Sequence, residues 1–348
     1  MRLTLGLLLS LLLVACDRDT PQYRLQDYAD RVARAARQTP EKLSWPSPPP
    51  YPRHRERQLP VPEVRARLLD LTDFNTCNLT QLIAERNSIL GRYWPASRRI
   101  DYELRFAHRL QRCRRWLHTQ AEADLALRDQ MDAIARGKAG TLPAVFWQLS
   151  FDSPEFERHF SLATPWLPPG EAPPMEALRA LEQLAEQLDA PPDGWDLTQL
   201  EPQLQALALS GYGGAWVHAM QGLATTLDTV AERLMAVDRQ RLCPQQRPTP
   251  AARILETVFY RYYAGWVQPY LAQLHRDGTR WQQSMNRLLA AAPRPPPAFR
   301  AYATQVLGDG TGSLRTDLEQ AGQRHTRAWQ ALLGTCGLMP GAAATAAD

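Results

Sequence analysis

The chain has 348 residues, of which 44% are hydrophobic and 22% charged, and its formal net charge is +4. This composition excludes a disordered chain, and the length is enough for one large domain or two ordinary ones. The charge is too small to indicate a nucleic-acid partner, so we expect none.

The chain begins with a signal sequence that ends in a lipobox. Arg2 supplies a short positive region, an apolar segment follows, and Leu13-Val14-Ala15-Cys16 has the pattern of a lipoprotein cleavage site. The apolar segment is too short to span a bilayer, so we expect residues 1–15 to be removed. Cys16 would then carry a diacylglyceryl thioether and an acylated amine, which together make a lasting membrane anchor.

Asp17 directly follows the cysteine that we expect to be lipidated. An acidic residue there resembles the sorting pattern that retains lipoproteins in the inner membrane of many Gram-negative bacteria. We therefore expect the protein to face the periplasm from the inner membrane rather than the outer. Residues 17–20 span at most about 14 Å when extended, which would hold the body close to the bilayer.

Residues 16–61 are predicted to contain the anchor, a short helix and a proline-rich strap. Thr20 as N-cap and Pro21 as the first helical residue favour the start of the helix. Eight prolines between positions 40 and 62 favour extended chain beyond it. The basic run at 53–57 is interpreted as part of a solvated linker, with contact to lipid headgroups as the alternative.

Residues 62–165 are predicted to form a helical lobe. One helix is expected from residue 62 to 71, and a second, capped by Asn78, carries apolar residues up to Leu90 and Gly91. A fourth helix is expected at about 123–136. The third has one apolar face, formed by Ile100, Leu104, Ala107, Leu110, Cys113 and Leu117.

Residues 171–336 are predicted to form a second lobe, an up-down-up bundle of long helices. Thr249 is expected to cap the second long helix and Ser313 the third, and Pro269 predicts a kink because proline lacks a backbone donor. Residues 341–348 are expected to be a loose tail. Since no strand pattern of useful length occurs, the predicted fold class is all-α, a helical bundle in two lobes.

Five cysteines leave four once Cys16 is lipidated, and an even number in an oxidising compartment indicates two disulfides. Cys77 and Cys113 lie symmetrically about Pro95, so an antiparallel helical hairpin would bring them together. Cys243 and Cys336 remain, and the up-down-up topology places them at neighbouring helix ends. We therefore predict the pairs Cys77–Cys113 and Cys243–Cys336.

The strong local motifs of metal, redox, hydrolase and nucleotide sites are absent from the sequence. We accordingly assign no catalytic residue, metal ligand or cofactor, and favour a protein that is not an enzyme. Triads need not be local in sequence, so an enzyme stays open as an alternative.

One polar run interrupts an otherwise apolar helix in the first lobe. Its members are Glu85, Arg86, Asn87 and Ser88. A buried polar network that fixes the packing is one interpretation. The other is a binding patch.

Two further features have a structural and a functional interpretation. The aromatic run at 259–266 has the spacing of core packing, but it also suits stacking on sugar rings or an acyl groove. His325 lies on the apolar seam of the last helix, where a hydrogen-bonded core histidine is favoured over a pH sensor or a base.

The lipobox with Asp17, the Leu59-Pro60-Val61-Pro62 segment, and the run at 82–92 with Tyr102-Glu103-Leu104 resemble an uncharacterised family of bacterial lipoproteins, a domain of unknown function. The resemblance covers nearly the whole chain and implies a location but no catalytic residue. We expect a lipid-anchored adaptor or scaffold whose partners are the membrane, through Cys16, and another envelope protein. The alternative is an enzyme or binding module for cell-wall glycan or lipid.

Overall fold

The computed structural model of the chain describes residues 19–62, 73–120, 125–292 and 294–339. Within these ranges the regular structure is helical and no strand occurs, so the predicted all-α helical bundle is confirmed. The predicted signal sequence, Cys16, the helix expected from 62 to 71 and the tail at 341–348 lie wholly or almost wholly outside the described residues.

The first half of the chain holds eight of the described helices and a 3-10 helix at Leu90–Tyr93. The helices are α1 (Pro21–Ala35), α2 (His54–Arg57), α3 (Asp73–Thr76), α4 (Thr80–Asn87), α5 (Ala96–Thr119), α6 (Leu125–Gly137), α7 (Thr141–Leu149) and α8 (Pro154–His159).

The second half holds eight further described helices, three of which have more than twenty residues. In chain order they are α9 (Met175–Glu186), α10 (Leu197–Ser210), α11 (Tyr212–Met235), α12 (Arg239–Leu242), α13 (Pro250–Val258), α14 (Gln268–Ala290), α15 (Pro297–Val306) and α16 (Leu314–Thr335).

Three helix starts follow the capping residues in the sequence. The side chains of Thr20, Thr249 and Ser313 each accept a hydrogen bond from the backbone N–H three residues later, at 3.3, 3.4 and 3.3 Å. These capping predictions are confirmed. The cap predicted at Asn78 is wrong, because Asn78 has a left-handed φ of 55° in the turn, and Leu79 precedes α4 instead.

The long helices run up, down and up, as predicted. Arg324 on α16 forms a bidentate ion pair with Asp228 on α11, with nitrogen–oxygen distances of 2.7 and 2.8 Å. Beyond the C-terminal ends of these two helices, a disulfide joins Cys243, directly after α12, to Cys336, directly after α16. The antiparallel α14 lies beside α11, where the indole of Trp216 donates to the carbonyl oxygen of Leu274 at 3.2 Å.

The kink predicted at Pro269 corresponds to a π-helical segment at Phe259–Val267, between α13 and α14. The N–H of Gln268 donates to the carbonyl of Tyr263, five residues back. Pro269 has no N–H to continue the ordinary pattern, and its ring would crowd the turn before it. A widened turn ahead of the proline accommodates both effects.

The strap packs against the bundle instead of lying free in solvent. Trp45 donates to the hydroxyl of Thr226 at 3.2 Å, and the ring of Tyr51 stacks on Phe160 with centroids 4.8 Å apart. The interpretation of residues 53–57 as solvated is wrong for Arg57, which is buried within one helical turn. Its guanidinium pairs with Glu157 at 2.7 Å because a buried cation needs a charged partner.

The buried apolar residues form two cores. The larger takes in α1, the strap, α7 to α11 and the long helices, and therefore draws on residues from both sides of the predicted boundary at 165–171. The smaller lies between α3, α4, α5 and α6. The structure contains both predicted disulfides, with Cys77–Cys113 in the smaller core and Cys243–Cys336 in the larger.

Candidate functional site

The polar run predicted as a binding patch lies at the C-terminal end of α4 and in the turn that follows. Glu85 and Arg86 are half-buried, whereas Asn87 and Ser88 are exposed. The carboxylate of Glu85 lies 3.6 Å from the guanidinium of Arg105 on α5. The predicted run is therefore on the surface, and one of its charges is already paired within the protein.

The remaining polar groups of the run shape the turn after α4. The hydroxyl of Ser88 donates to the carbonyl oxygen of Glu85 at 2.7 Å and accepts from the N–H of Gly91 at 3.0 Å. The guanidinium of Arg86 donates to the carbonyl oxygen of Gly91. Both backbone groups of Gly91 are thus held by side chains of the predicted patch.

Gly91 is buried against the end of α4. A Cβ atom at this position would overlap the backbone carbonyl oxygens of Glu85 and Arg86, which a rotamer change cannot move. Only glycine therefore allows the chain to double back so closely. The turn continues directly into the 3-10 helix Leu90–Tyr93.

This turn presents three large apolar side chains to solvent. Ile89 and Leu90 are each 79% exposed and Tyr93 is 83% exposed. We call these three residues the apolar tip. The sequence had placed Leu90 on the apolar stripe of a helix; that expectation is wrong, because the helix ends at Asn87.

Single exposed apolar residues are common on protein surfaces, but a contiguous cluster on a fixed turn is characteristic of an interaction site. Leu209 on α10 is 78% exposed and provides an isolated comparison. Arg92 lies between Leu90 and Tyr93 in the chain, and Arg98 follows on the first turn of α5; both are exposed and have no carboxylate partner among the described residues. The exposed charges that lie nearest to the tip in the chain are therefore positive.

Two other polar residues of α5 have partners outside the polar run. Glu103 pairs with Lys138 at 2.6 Å, and the guanidinium of Arg99 donates to Gln148 at 3.3 Å. The run is joined to α5 through the ion pair of Glu85 and Arg105.

The aromatic run of the π-helical segment contributes mainly to packing between helices. Tyr263 lies against His325 with ring centroids 4.5 Å apart, and Phe259 lies against Trp329 at 5.3 Å. Arg31 of α1 covers the ring of Tyr262 at 4.2 Å. This arrangement favours the core-packing interpretation of the run over an open sugar-binding or acyl groove.

His325 is a buried core residue. Its Nε2 lies 2.7 Å from the hydroxyl of Tyr28 and accepts from the indole of Trp329 at 3.2 Å. Burial lowers the pKa of His325 to about 3, so the imidazole is neutral at physiological pH. A neutral, enclosed imidazole supports the structural interpretation.

Nowhere in the described ranges do three or more His, Cys, Asp or Glu side chains come together as a metal site requires. Among the described helices, none combines the length and the apolar composition of a membrane span. Cys16 lies outside the described residues, so its lipidation stays a prediction.

The protein is all-α, and the apolar tip is an exposed turn that side-chain hydrogen bonds hold in place. The model of a family described as protein of unknown function (DUF3080) matches residues 25–340, and the chain belongs to this family. The predicted membership in a domain family of unknown function is thereby confirmed. No curated protein and no solved structure matches the chain.

Proposed function

We propose that this protein is a lipid-anchored adaptor of the cell envelope, attached to the membrane through Cys16 and docked to a partner protein through the apolar tip. The observation that carries the proposal is the exposure of Ile89, Leu90 and Tyr93 on one turn. The anchor would hold the chain at the membrane surface, and the tip would supply the contact with the partner.

The size of the tip is appropriate for the centre of an interface. Burying one exposed aliphatic or aromatic side chain contributes about 1.5–3 kcal/mol, so three together are enough for a hot spot. Tyrosine and arginine are also enriched at interfaces, and Arg92 is adjacent to Tyr93 in the chain.

The fixed shape of the turn favours a protein partner over the bilayer itself. Arg86, Ser88 and Gly91 hold the turn in one conformation before any partner binds. Such preorganisation increases affinity for a surface that has a complementary shape, whereas a fluid bilayer has none. The exposed Arg92 and Arg98 favour a partner whose apolar pocket is bordered by carboxylates.

The sequence supports the proposed location of the protein at the inner membrane. The lipobox at Cys16 supports membrane attachment, and Asp17 supports retention in the inner membrane with the body facing the periplasm. α1 begins at Pro21, so only the four residues 17–20 connect the predicted anchor at Cys16 to the first helix. The adaptor would therefore act close to its membrane.

Site-specific crosslinking in living cells tests the docking role. A photoreactive amino acid replaces Leu90 in one chain and Leu209 in a matched control, since the two leucines are 79% and 78% exposed. We expect a discrete protein adduct from position 90 that is absent from position 209 and is lost when Tyr93→Asp is added. Equal adducts from both positions, or a lipid adduct alone from position 90, would overturn the proposal.

A further inference from the structure

A second surface, which shares no residue with the apolar tip, lies beside the Cys77–Cys113 disulfide. It is an open cavity of about 600 Å³ between the turn before α4, one face of α5 and the chain near Asp193. Polar side chains predominate among its lining residues, and the one tryptophan is Trp116.

One wall of the cavity is formed by side chains on a single face of α5. His108, Arg112 and Trp116 are spaced four residues apart, so they lie above one another on one face of the helix. Cys113 lies next to this row, and its bond to Cys77 fixes the turn at 75–78 against the same face. The disulfide therefore brings the side chains of two separate segments to one cavity.

Two of the basic side chains hold the opposite wall in place. The guanidinium of Arg109 donates to the carboxylate of Asp193 at 3.1 Å and to the carbonyl oxygen of Asn78 at 3.2 Å. The imidazole of His108 lies 2.9 Å from the carbonyl oxygen of Pro191 through its Nδ1. Both groups are thus engaged in the structure of the site.

Other side chains that line the cavity are available to contact a ligand. Trp116 is 48% exposed, so part of its indole faces open space. The side chains of Arg112, Asn75 and Asn78 form no hydrogen bond or ion pair within the described part of the chain. The cavity therefore offers one aromatic surface, one guanidinium free of carboxylate and two carboxamides that both donate and accept.

We propose that this cavity binds an acidic glycan. The apolar C–H face of a sugar ring would pack on Trp116, its hydroxyl groups would exchange hydrogen bonds with Asn75 and Asn78, and its carboxylate would pair with Arg112. A guanidinium recognises a carboxylate through two parallel hydrogen bonds, which makes arginine specific for this group. A few placed polar groups around an aromatic surface are typical of a ligand site.

The single unpaired guanidinium of the cavity favours a uronic-acid-type sugar over a phosphate-rich ligand. Asp193 already pairs with Arg109, so Arg112 is the lining guanidinium that is free to bind an anion. A single guanidinium matches a single carboxylate, while a polyphosphate would need several cations. This site goes beyond the proposed adaptor role and depends on none of its residues.

Titration of the full chain, with its disulfides intact, tests the glycan site. The probes are a tetramer of galacturonic acid and a neutral glucose tetramer, with binding followed by calorimetry and by saturation-transfer NMR. We expect the acidic tetramer to bind, Trp116→Ala to weaken it at least tenfold, and Arg112→Gln to reduce its affinity to that of the neutral tetramer.

Matched controls are Tyr23→Ala and Arg327→Gln. Tyr23 is an exposed aromatic residue on α1, at 46% exposure, and Arg327 is an exposed arginine on α16, outside the cavity. Both should bind like the parent. Absence of binding by the parent, or equal affinities of the parent and Trp116→Ala, would overturn the glycan site. Equal binding of both tetramers by the parent would overturn its acidic specificity.

Discussion

The hydroxyl of Tyr28 on the first long helix and the Nε2 of His325 on the last lie 2.7 Å apart in the core. Trp329 donates its indole N–H to both groups, at 3.0 and 3.2 Å. These contacts join residues separated by 297 positions in the chain. The two ends of the described chain therefore form one packed unit, whose stability depends on a neutral imidazole.

The first prediction concerns acid stability. Burial lowers the pKa of His325 to about 3 and that of His159 to about 4. The unfolded histidines titrate near about 6.5, so below that pH the unfolded chain binds protons that the folded protein does not. The free energy of unfolding should fall between about pH 6 and pH 4, by up to about 1.4 kcal/mol per pH unit for each histidine.

Urea unfolding at several pH values measures this slope. His325→Gln should reduce the slope by the contribution of one proton. Identical slopes for the parent and His325→Gln would contradict the assignment of His325 as a neutral core residue.

The two disulfides should stabilise different parts of the molecule. They close loops of 36 and 93 residues, for which the chain-entropy model gives roughly 4 kcal/mol each, slightly more for the longer loop. Replacing Cys77 and Cys113 by serine should increase amide hydrogen exchange in α4, α5 and α6, because the smaller core lies there. Replacing Cys243 and Cys336 should instead increase exchange at the ends of α11 and α16. The same exchange pattern in both variants would argue against two separate cores.

The third prediction concerns the anchor. Cys16→Ser should abolish labelling by a fatty-acid analogue and release the chain from the membrane, because no other lipid attachment is predicted. Asp17→Ser should move the lipidated protein from the inner to the outer membrane on a sucrose gradient. Unchanged labelling of Cys16→Ser would refute the lipobox, and parent protein in the outer-membrane fraction would refute the sorting prediction.

Gly91→Ala should distort the turn and leave the bundle folded. The added methyl group would overlap two backbone carbonyl oxygens, so the local cost is about 1–3 kcal/mol.

Gly322→Ala is the control, since a Cβ there meets no atom within 4 Å. It should stabilise α16 by about 0.5–1 kcal/mol, because alanine favours helix over glycine. Thermal unfolding and hydrogen exchange of residues 84–94 would show both effects; unchanged exchange in Gly91→Ala would mean that the turn is not held as described.

Local chemistry made much of the fold predictable. Thr20, Thr249 and Ser313 supply side-chain oxygens at helix starts, and the apolar spacing of α5 placed Cys113 on its buried face. Both cysteine pairs followed from how helices must return along one another. These features depend on few residues and on simple geometry.

The apolar tip was not predictable in the same way. Leu90 continues the apolar spacing of Leu79, Leu82 and Ile83, so the sequence predicted a helix that continues up to Gly91. Ser88 and Gly91 are the signals that the chain turns, but the close approach of Gly91 to carbonyl oxygens is visible only in three dimensions. The glycan cavity was missed because its walls come from three segments, at 75–81, 108–116 and 193.

The most direct test of the adaptor role measures the crosslinking yield from a photoreactive amino acid at position 93. The yield is compared in cells between the Gly91→Ala and Gly322→Ala backgrounds, at equal protein levels. If the partner recognises the preformed apolar tip, the protein adduct should fall at least tenfold in Gly91→Ala and match the parent in Gly322→Ala. An equal yield in both backgrounds would contradict docking through the tip.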